Sequence, residues 1–228
     1  MTRGIFIAGN DSTLSRAVEA EVSNRVEQFA SALIPNRLLD GMTLTAETRS
    51  NNESSSGRIP LDWNPSSPIS ARTLVMAAEN RLERIDEAIL VCSPPSIRSR
   101  PAKLPFSAVE IMVNDHIKGW FFLIKELSAI FKERGSGILA LVYPDINFNS
   151  TRDKIVDFLG PSSVASFRAL TQGLLSAAHE DSYFTVGFST SDIGNEAAFA
   201  SFIFKMIDDS IKRTNGKLHK FGKFNFFK

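Results

Sequence analysis

The stretch IFIAGNDSTLSRAVEAEV, residues 5–22, decides the fold expected of this chain. An apolar run from Ile5 to Ala8 ends at Gly9, a polar turn follows, and apolar residues then recur at helical spacing. A strand, a glycine turn and a helix open the sheets that bind dinucleotides, where several glycines let the backbone approach a pyrophosphate. Here Gly9 is the one glycine in the stretch. The pattern predicts the shape of such a unit and leaves its phosphate binding open.

The composition favours one domain over residues 1–228. The chain is 43% hydrophobic, enough to bury a full core, and we see no linker that divides it. Its 26 basic and 25 acidic residues create no overall field that would attract nucleic acid or an anionic membrane. A single cysteine, no long apolar run and no signal-peptide pattern predict a cytoplasmic protein outside the membrane.

Strand and helix patterns alternate along the chain, which predicts a doubly wound, mostly parallel sheet between two helix layers. The first helical pattern continues through Leu33, and its apolar positions are Leu14, Val18, Val22, Val26, Phe29 and Leu33. We predict the second strand at 42–49, with Phe29 to Ile34 as the alternative. Later strands are expected at 58–63, 86–92, 137–145 and 183–190, and later helices at 71–82, 107–133, 163–179 and 195–213.

The order of these elements resembles the short-chain dehydrogenase/reductase family. The similarity rests on Gly9 at the first turn and on the segments LDW (61–63), ERIDEAILV (83–91), GWFFLIKELSAIFKERGSGILALV (119–142), RALTQGLLSAAHED (168–181) and FTVGFST (184–190). It spans Ile5 to Ser191, so residues 1–191 are expected to form the family-like core, with a C-terminal helix and a Phe/Lys-rich tail at 192–228. The resemblance implies a Rossmann-like fold and NAD- or NADP-dependent oxidoreductase activity.

The resemblance also implies where a cofactor would bind. The matching positions are Gly9, Asn10, Ser12, Asp62, Cys92 and Ser93. Thr13 and Ser15 stand where the family has two further glycines, and Asp11 adds a carboxylate beside the phosphate position. A like charge at close range costs about 1 to 4 kcal/mol, depending on the local dielectric. We therefore expect no tight binding of NAD or NADP.

Two other features near the expected cofactor site favour structural roles. Arg49 suits a 2′-phosphate if it ends the second strand, but such an arginine is more often simply solvated. Cys92 precedes Ser93 and two prolines, which remove backbone donors, and no histidine is near it in sequence. We interpret Cys92 as a buried structural thiol and predict no metal site.

The family's catalytic residues are replaced in this chain. Its Tyr-x-x-x-Lys pair falls on Val164 and Arg168, its serine on Tyr143, and its helical asparagine on His116, or on Asn114 if the helix is shifted by two residues. Valine cannot transfer a proton, so one hypothesis is a non-catalytic protein that acts through binding or assembly. The other is an active reductase with Tyr143 as proton donor, His116 as helper and Arg168 lowering the tyrosine pKa.

The family also implies self-association through the helices predicted at 107–133 and 163–179, which would make a homo-dimer or tetramer. The first helix has more large apolar residues than one buried face uses: Trp120, Phe121, Phe122, Ile124, Leu127, Ile130 and Phe131. The tail at 212–228 mixes basic residues with phenylalanines, a composition that can bind single-stranded nucleic acid or a membrane surface. We favour a final strand at 223–227 instead, and expect neither nucleic acid nor membrane as a partner.

Overall fold

The computed structural model describes residues 3–26, 28–35, 57–145, 156–192 and 194–222. Its strands are β1 Ile5–Asn10, β2 Phe29–Ile34, β3 Arg58–Pro60, β4 Glu87–Val91, β5 Arg98–Ser99, β6 Ile138–Pro144, β7 Val156–Asp157, β8 Phe184–Thr190 and β9 Leu218–Phe221. Its α-helices are α1 Thr13–Ser23, α2 Pro68–Leu82, α3 Phe106–Val113, α4 Gly119–Arg134, α5 Leu159–Ala177 and α6 Glu196–Thr214. A π-helical segment, Asn114–Lys118, joins α3 to α4.

Within the described ranges, seven strands form one sheet in the order β3-β2-β1-β4-β6-β8-β9. Every pair of neighbours in it is parallel. The chain winds outward from β1 in one direction and from β4 in the other, so the topological switch point lies between the carboxyl ends of these two strands. The doubly wound parallel fold predicted from the sequence is confirmed.

Two hydrophobic clusters fill the space between the sheet and its helices. On one face, α1 and α6 cover residues such as Ile7, Val142 and Phe188. On the other, α2, α4 and α5 pack over residues such as Phe6, Leu90 and Leu141. Each large side chain that is fully buried contributes about 1.5 to 3 kcal/mol of transfer free energy. Both faces of the central strands are therefore apolar, as continuous hydrophobic strands require.

The single long first helix predicted from the sequence is wrong. The observed helix ends at Ser23. Phe29 and Leu33, the last apolar positions of the predicted helix, belong to β2, which pairs with β1 from Phe6↔Ala30 to Asn10↔Ile34. The segment FASALI is almost entirely buried, because it lies beside the central strand β1 under a helix layer. The alternative placement of the second strand is thus confirmed. The strand predicted at 42–49 lies outside the described residues.

The remaining predicted elements are present, with shifted ends. The helix expected at 107–133 runs from Phe106 to Arg134 through the π-helical segment, and the one expected at 163–179 begins earlier, at Leu159. The last described strand is β9, while the strand predicted at 223–227 lies outside the described residues. No helix in the described ranges is both long and apolar enough to cross a bilayer.

Candidate functional site

Four polar side chains form a row across the carboxyl ends of β1, β4, β6 and β8. Gly9 pairs with Val91 and Val91 with Val142, so Asn10, Cys92 and Tyr143 follow one step later on adjacent strands. Tyr143 in turn pairs with Ser189. All four residues are at most 1% exposed. The sheet edge at which this topology places ligands is therefore lined by buried polar groups.

Asn10 connects two loops and a helix at the switch point. Its side-chain carbonyl accepts a hydrogen bond from the Ser93 backbone N–H at 3.0 Å, after β4. Its amide nitrogen then faces Nδ1 of His116, in the π-helical segment, at 2.5 Å. Because the amide nitrogen can only donate, His116 Nδ1 accepts and its proton lies on Nε2. The His116 carbonyl accepts from the Ser163 hydroxyl of α5 at 2.7 Å.

The first turn is closed by its own side chains. Ser12 caps α1 by accepting from the Ser15 N–H at 3.2 Å. A Cβ on Gly9 would lie 2.8 Å from the Ser15 hydroxyl and 2.9 Å from the Val91 carbonyl, so the glycine is required by close helix–strand packing. Asp11 pairs with Arg16 at 2.9 Å.

These residues do not fit the pyrophosphate-binding role that the resemblance implies. Such a site needs free N–H donors and space for close approach. The Ser15 N–H is bonded to Ser12 and the Ser93 N–H to Asn10, while the buried Ser15 side chain lies beside Gly9 and the Asp11 carboxylate of the same turn pairs with Arg16. Of the predicted cofactor residues, the structure brings five together here: Gly9, Asn10, Ser12, Cys92 and Ser93. Asp62 is exposed beyond β3, two strands from β1, and Arg49 lies outside the described residues.

Tyr143 has a raised pKa, not the lowered one that the reductase hypothesis requires. Burial raises the pKa of its hydroxyl to about 12, the Arg168 charge and the neighbouring Ser189 act in the opposite direction, and Asp145 adds to the increase. The buried hydroxyl makes no hydrogen bond of normal geometry with the described residues. Arg168 also lies 3.6 Å from the Asp145 carboxylate, which shares its charge. Tyr143 and Arg168 are near each other as predicted, but burial outweighs the cation.

Val164 and His116, which map to catalytic positions of the family, are buried, and so is Cys92. Val164 is 5% exposed and lies on the face of α5 that packs into the core. Burial raises the pKa of the Cys92 thiol to about 12, with interactions from Ser163 and Trp120 acting in the opposite direction. His116 is buried against Asn10, whereas Asn114, two residues earlier in the same π-helical segment, is half-buried. Of the two positions mapped to the family's asparagine, His116 contacts the row through Asn10.

Ser163 and Ser189 belong to this cluster but were not identified from the sequence. Each adjoins a mapped position, Ser163 beside Val164 and Ser189 in register with Tyr143. Their one sequence signal is a polar residue at the end of an apolar strand or on an apolar helix face. Among the described residues, no group of three or more His, Cys, Asp or Glu side chains is placed to hold a metal ion.

Segments 96–106 and 156–161 contact each other. Their described parts pair as an antiparallel two-stranded sheet, with Arg98 opposite Asp157. A small apolar cluster of Ile97, Ala108 and Met112 packs beneath them. These contacts join the two segments to α3 and α5.

Comparison with known proteins identifies the fold. No protein-family model and no curated protein matches this sequence. A short chain dehydrogenase from Bacillus anthracis superposes with a TM-score of 0.72 at 10% identity, covering 96% of this chain and 94% of that one. Levodione reductase gives 0.68 at 12% identity, covering 96% and 95%. A mutant short-chain dehydrogenase/reductase from Serratia marcescens gives 0.65 at 12%, with the same coverage. This chain has the short-chain dehydrogenase/reductase fold.

Proposed function

We propose that this protein uses the short-chain dehydrogenase/reductase fold without its standard chemistry and acts by assembling with copies of itself. The observation that supports this most strongly is Val164, a core residue at the position of the family's proton-donating tyrosine. Tyr143, the remaining candidate donor, is buried with a raised pKa. The closed first turn adds to this, since NAD and NADP are not expected to bind tightly there.

An exposed apolar stripe supports the assembly role. Phe106, Val113 and Phe121 are 89%, 44% and 50% exposed along the continuous helix of α3, the π-helical segment and α4. Their spacings of seven and eight residues put them on one face, because the π-helical segment adds one residue to the second interval. Large apolar side chains in one exposed stripe are typical of an interaction surface.

The neighbouring helix offers a face that a second helix pair could approach closely. Helix α3 packs beside α5, whose exposed side includes Ala165, Ala169 and Gly173. Small residues allow close contact, and a two-fold axis would bring the stripe of each copy against this side of the other. We propose a homo-dimer or tetramer built on these two helices.

The test is a charged substitution within the stripe. Phe122, though adjacent, is half-buried under Lys118, whose amine lies 5.9 Å from the ring centre, so Phe121→Glu is the appropriate change. We expect the wild type to have an oligomeric mass by light scattering at micromolar concentration and Phe121→Glu to be monomeric. Met76→Glu is the matched control, since Met76 is similarly exposed on α2, outside the stripe. A wild-type monomer at every concentration, or dissociation by Met76→Glu alone, contradicts the proposal.

A further inference from the structure

We infer that Asn10 is an internal stopper: its amide closes the crevice at the switch point and holds the sheet edge together without a nucleotide. This inference concerns the crevice alone and does not require self-association. It follows from the mismatch between the pyrophosphate role and the residues present, and assigns the closure to one side chain.

Asn10 lies at the point of the sheet where this fold places ligands. Asn10 ends β1, the strand at which the order of the sheet reverses, and its side chain is fully buried. In open α/β sheets a ligand enters between the loops that follow the two strands at this point. Asn10, at the end of β1, instead binds the loop after β4 through the Ser93 N–H and the π-helical segment through His116.

The two ends of the Asn10 carboxamide match the hydrogen-bonding groups of its two partners. A carboxamide offers one acceptor and one donor group, and here the two partners require one of each, the Ser93 N–H and His116 Nδ1. Turning the amide over would place its NH2 group against the Ser93 N–H, two donors, so Ser93 fixes the amide and the His116 tautomer follows from it. The orientation is therefore determined, and any ligand entering here would have to break both bonds.

Hydrogen bonds connect Asn10 and His116 to several elements of the fold. His116 also accepts from Ser163 through its carbonyl, so a chain of hydrogen bonds runs from the loop after β4 through β1 and the π-helical segment to α5. Buried polar networks in which the members are paired make the local arrangement specific. Loss of the Asn10 amide should open this edge locally rather than unfold the whole protein.

Cys92 reports such an opening. It is the chain's single cysteine, it follows the β4 residue that pairs with Gly9, and it is fully buried with its thiol pKa raised by burial. In the closed state it should react slowly with an aromatic disulfide reagent, because both access and the thiolate are suppressed. The rate of this reaction under native conditions measures how often the edge opens.

The experiment compares Asn10→Ala with Asn215→Ala. Asn215 is a matched control, since its amide also uses both ends, accepting from the Thr185 N–H at 2.9 Å and donating to the Ala178 carbonyl at 3.2 Å, away from the crevice. We expect Asn10→Ala to accelerate Cys92 modification at least about tenfold more than Asn215→Ala, because local opening adds to any loss of global stability. Equal acceleration by the two variants would overturn the inference.

A second pair of variants covers the case in which Asn10→Ala does not fold. His116→Ala removes the partner from the other side, whereas His116→Asn keeps an acceptor near the position of Nδ1. We expect rapid Cys92 modification in the first and near wild-type rates in the second; identical rates in both would count against the stopper. In a further arm, millimolar NAD or ADP should leave the wild-type melting temperature unchanged, and a clear upward shift would show that the crevice admits a nucleotide.

Discussion

The pKa of Tyr143 is raised by burial, although the nearby Arg168 leads us to expect a lowered value. A cation beside a phenol lowers its pKa, and the sequence places Arg168 where it could act on Tyr143. In the folded chain the hydroxyl is buried between β6 and α5, and desolvation of the phenolate exceeds the effect of the partly neutralised cation. A general acid/base at neutral pH needs a pKa near that of the solution, so burial makes Tyr143 poorly suited to the role.

The buried position of Tyr143 predicts that the protein loses stability at alkaline pH. The folded-state pKa of Tyr143 is raised to about 12, and the unfolded value is about 10, so the folded state keeps a proton that the unfolded state loses. The free energy of unfolding should therefore fall as the pH rises between about 10 and 12. Tyr143→Phe should flatten part of this fall and change stability by less than about 1 kcal/mol at neutral pH.

The measurement is urea unfolding across that pH range. Tyr183 and Cys92 also have pKa values raised by burial, so some of the fall should remain in Tyr143→Phe. An unchanged pH profile in the variant would mean that Tyr143 titrates normally in the folded protein.

At the scale of elements, two helical glycines differ in what surrounds them. Gly119 begins α4, and a Cβ there would lie 2.5 Å from the Pro65 Cβ and 3.1 Å from its carbonyl. Gly173 lies in α5, where a Cβ would meet nothing within 4 Å. Gly119 is therefore needed for the loop before α2 to approach α4, whereas within a single copy of the chain Gly173 only weakens its helix.

The two glycines should respond oppositely to alanine. Gly173→Ala should raise the free energy of unfolding by up to about 1 kcal/mol, since alanine loses less backbone entropy in a helix. Gly119→Ala should lower it by about 1 to 3 kcal/mol, because the added methyl overpacks the contact. Chemical denaturation in the Phe121→Glu background keeps association out of the comparison. Stabilisation by both substitutions would show that the Pro65 loop yields easily.

At the scale of the whole molecule, closure at one sheet edge is matched by ion pairs at the other. Arg3 contacts Glu87 and Asp208, and Arg25 contacts Asp208 as well, which links the start of β1 and the end of α1 to β4 and α6. Both edges are thus held by the chain's own side chains. This organisation supports a molecule that keeps its fold without a cofactor.

The same organisation predicts no reductase turnover. With ordinary ketones or aldehydes and NADH or NADPH, we expect no rate above background, because loss of a positioned acid/base alone costs about 100- to 10,000-fold. Absorbance of the reduced cofactor measures this directly. Turnover that Tyr143→Phe abolishes would instead support the reductase hypothesis. Turnover that survives Tyr143→Phe, Arg168→Ala and His116→Ala would contradict both hypotheses.

The sequence by itself determined the class of fold, because alternation of buried strands and amphipathic helices is a local pattern. It also placed Cys92 directly after a buried strand and Tyr143 near the end of another, whereas Gly9, predicted at the turn, lies within β1. It did not settle the second strand, since the apolar residues from Val26 to Leu33 suit a helix face as well as a buried strand. Pairing with β1 decided between them.

Only the tertiary structure decided the chemistry of the site. Asn10 and His116 are separated by 106 positions, and their contact depends on the π-helical segment reaching over the end of β1. Helical periodicity likewise could not choose Phe121 over Phe122 as the exposed ring, because the inserted residue changes the phase of the helix. Burial, hydrogen-bond pairing and the pKa of Tyr143 come from neighbours distant in sequence, and local patterns contain no information about them.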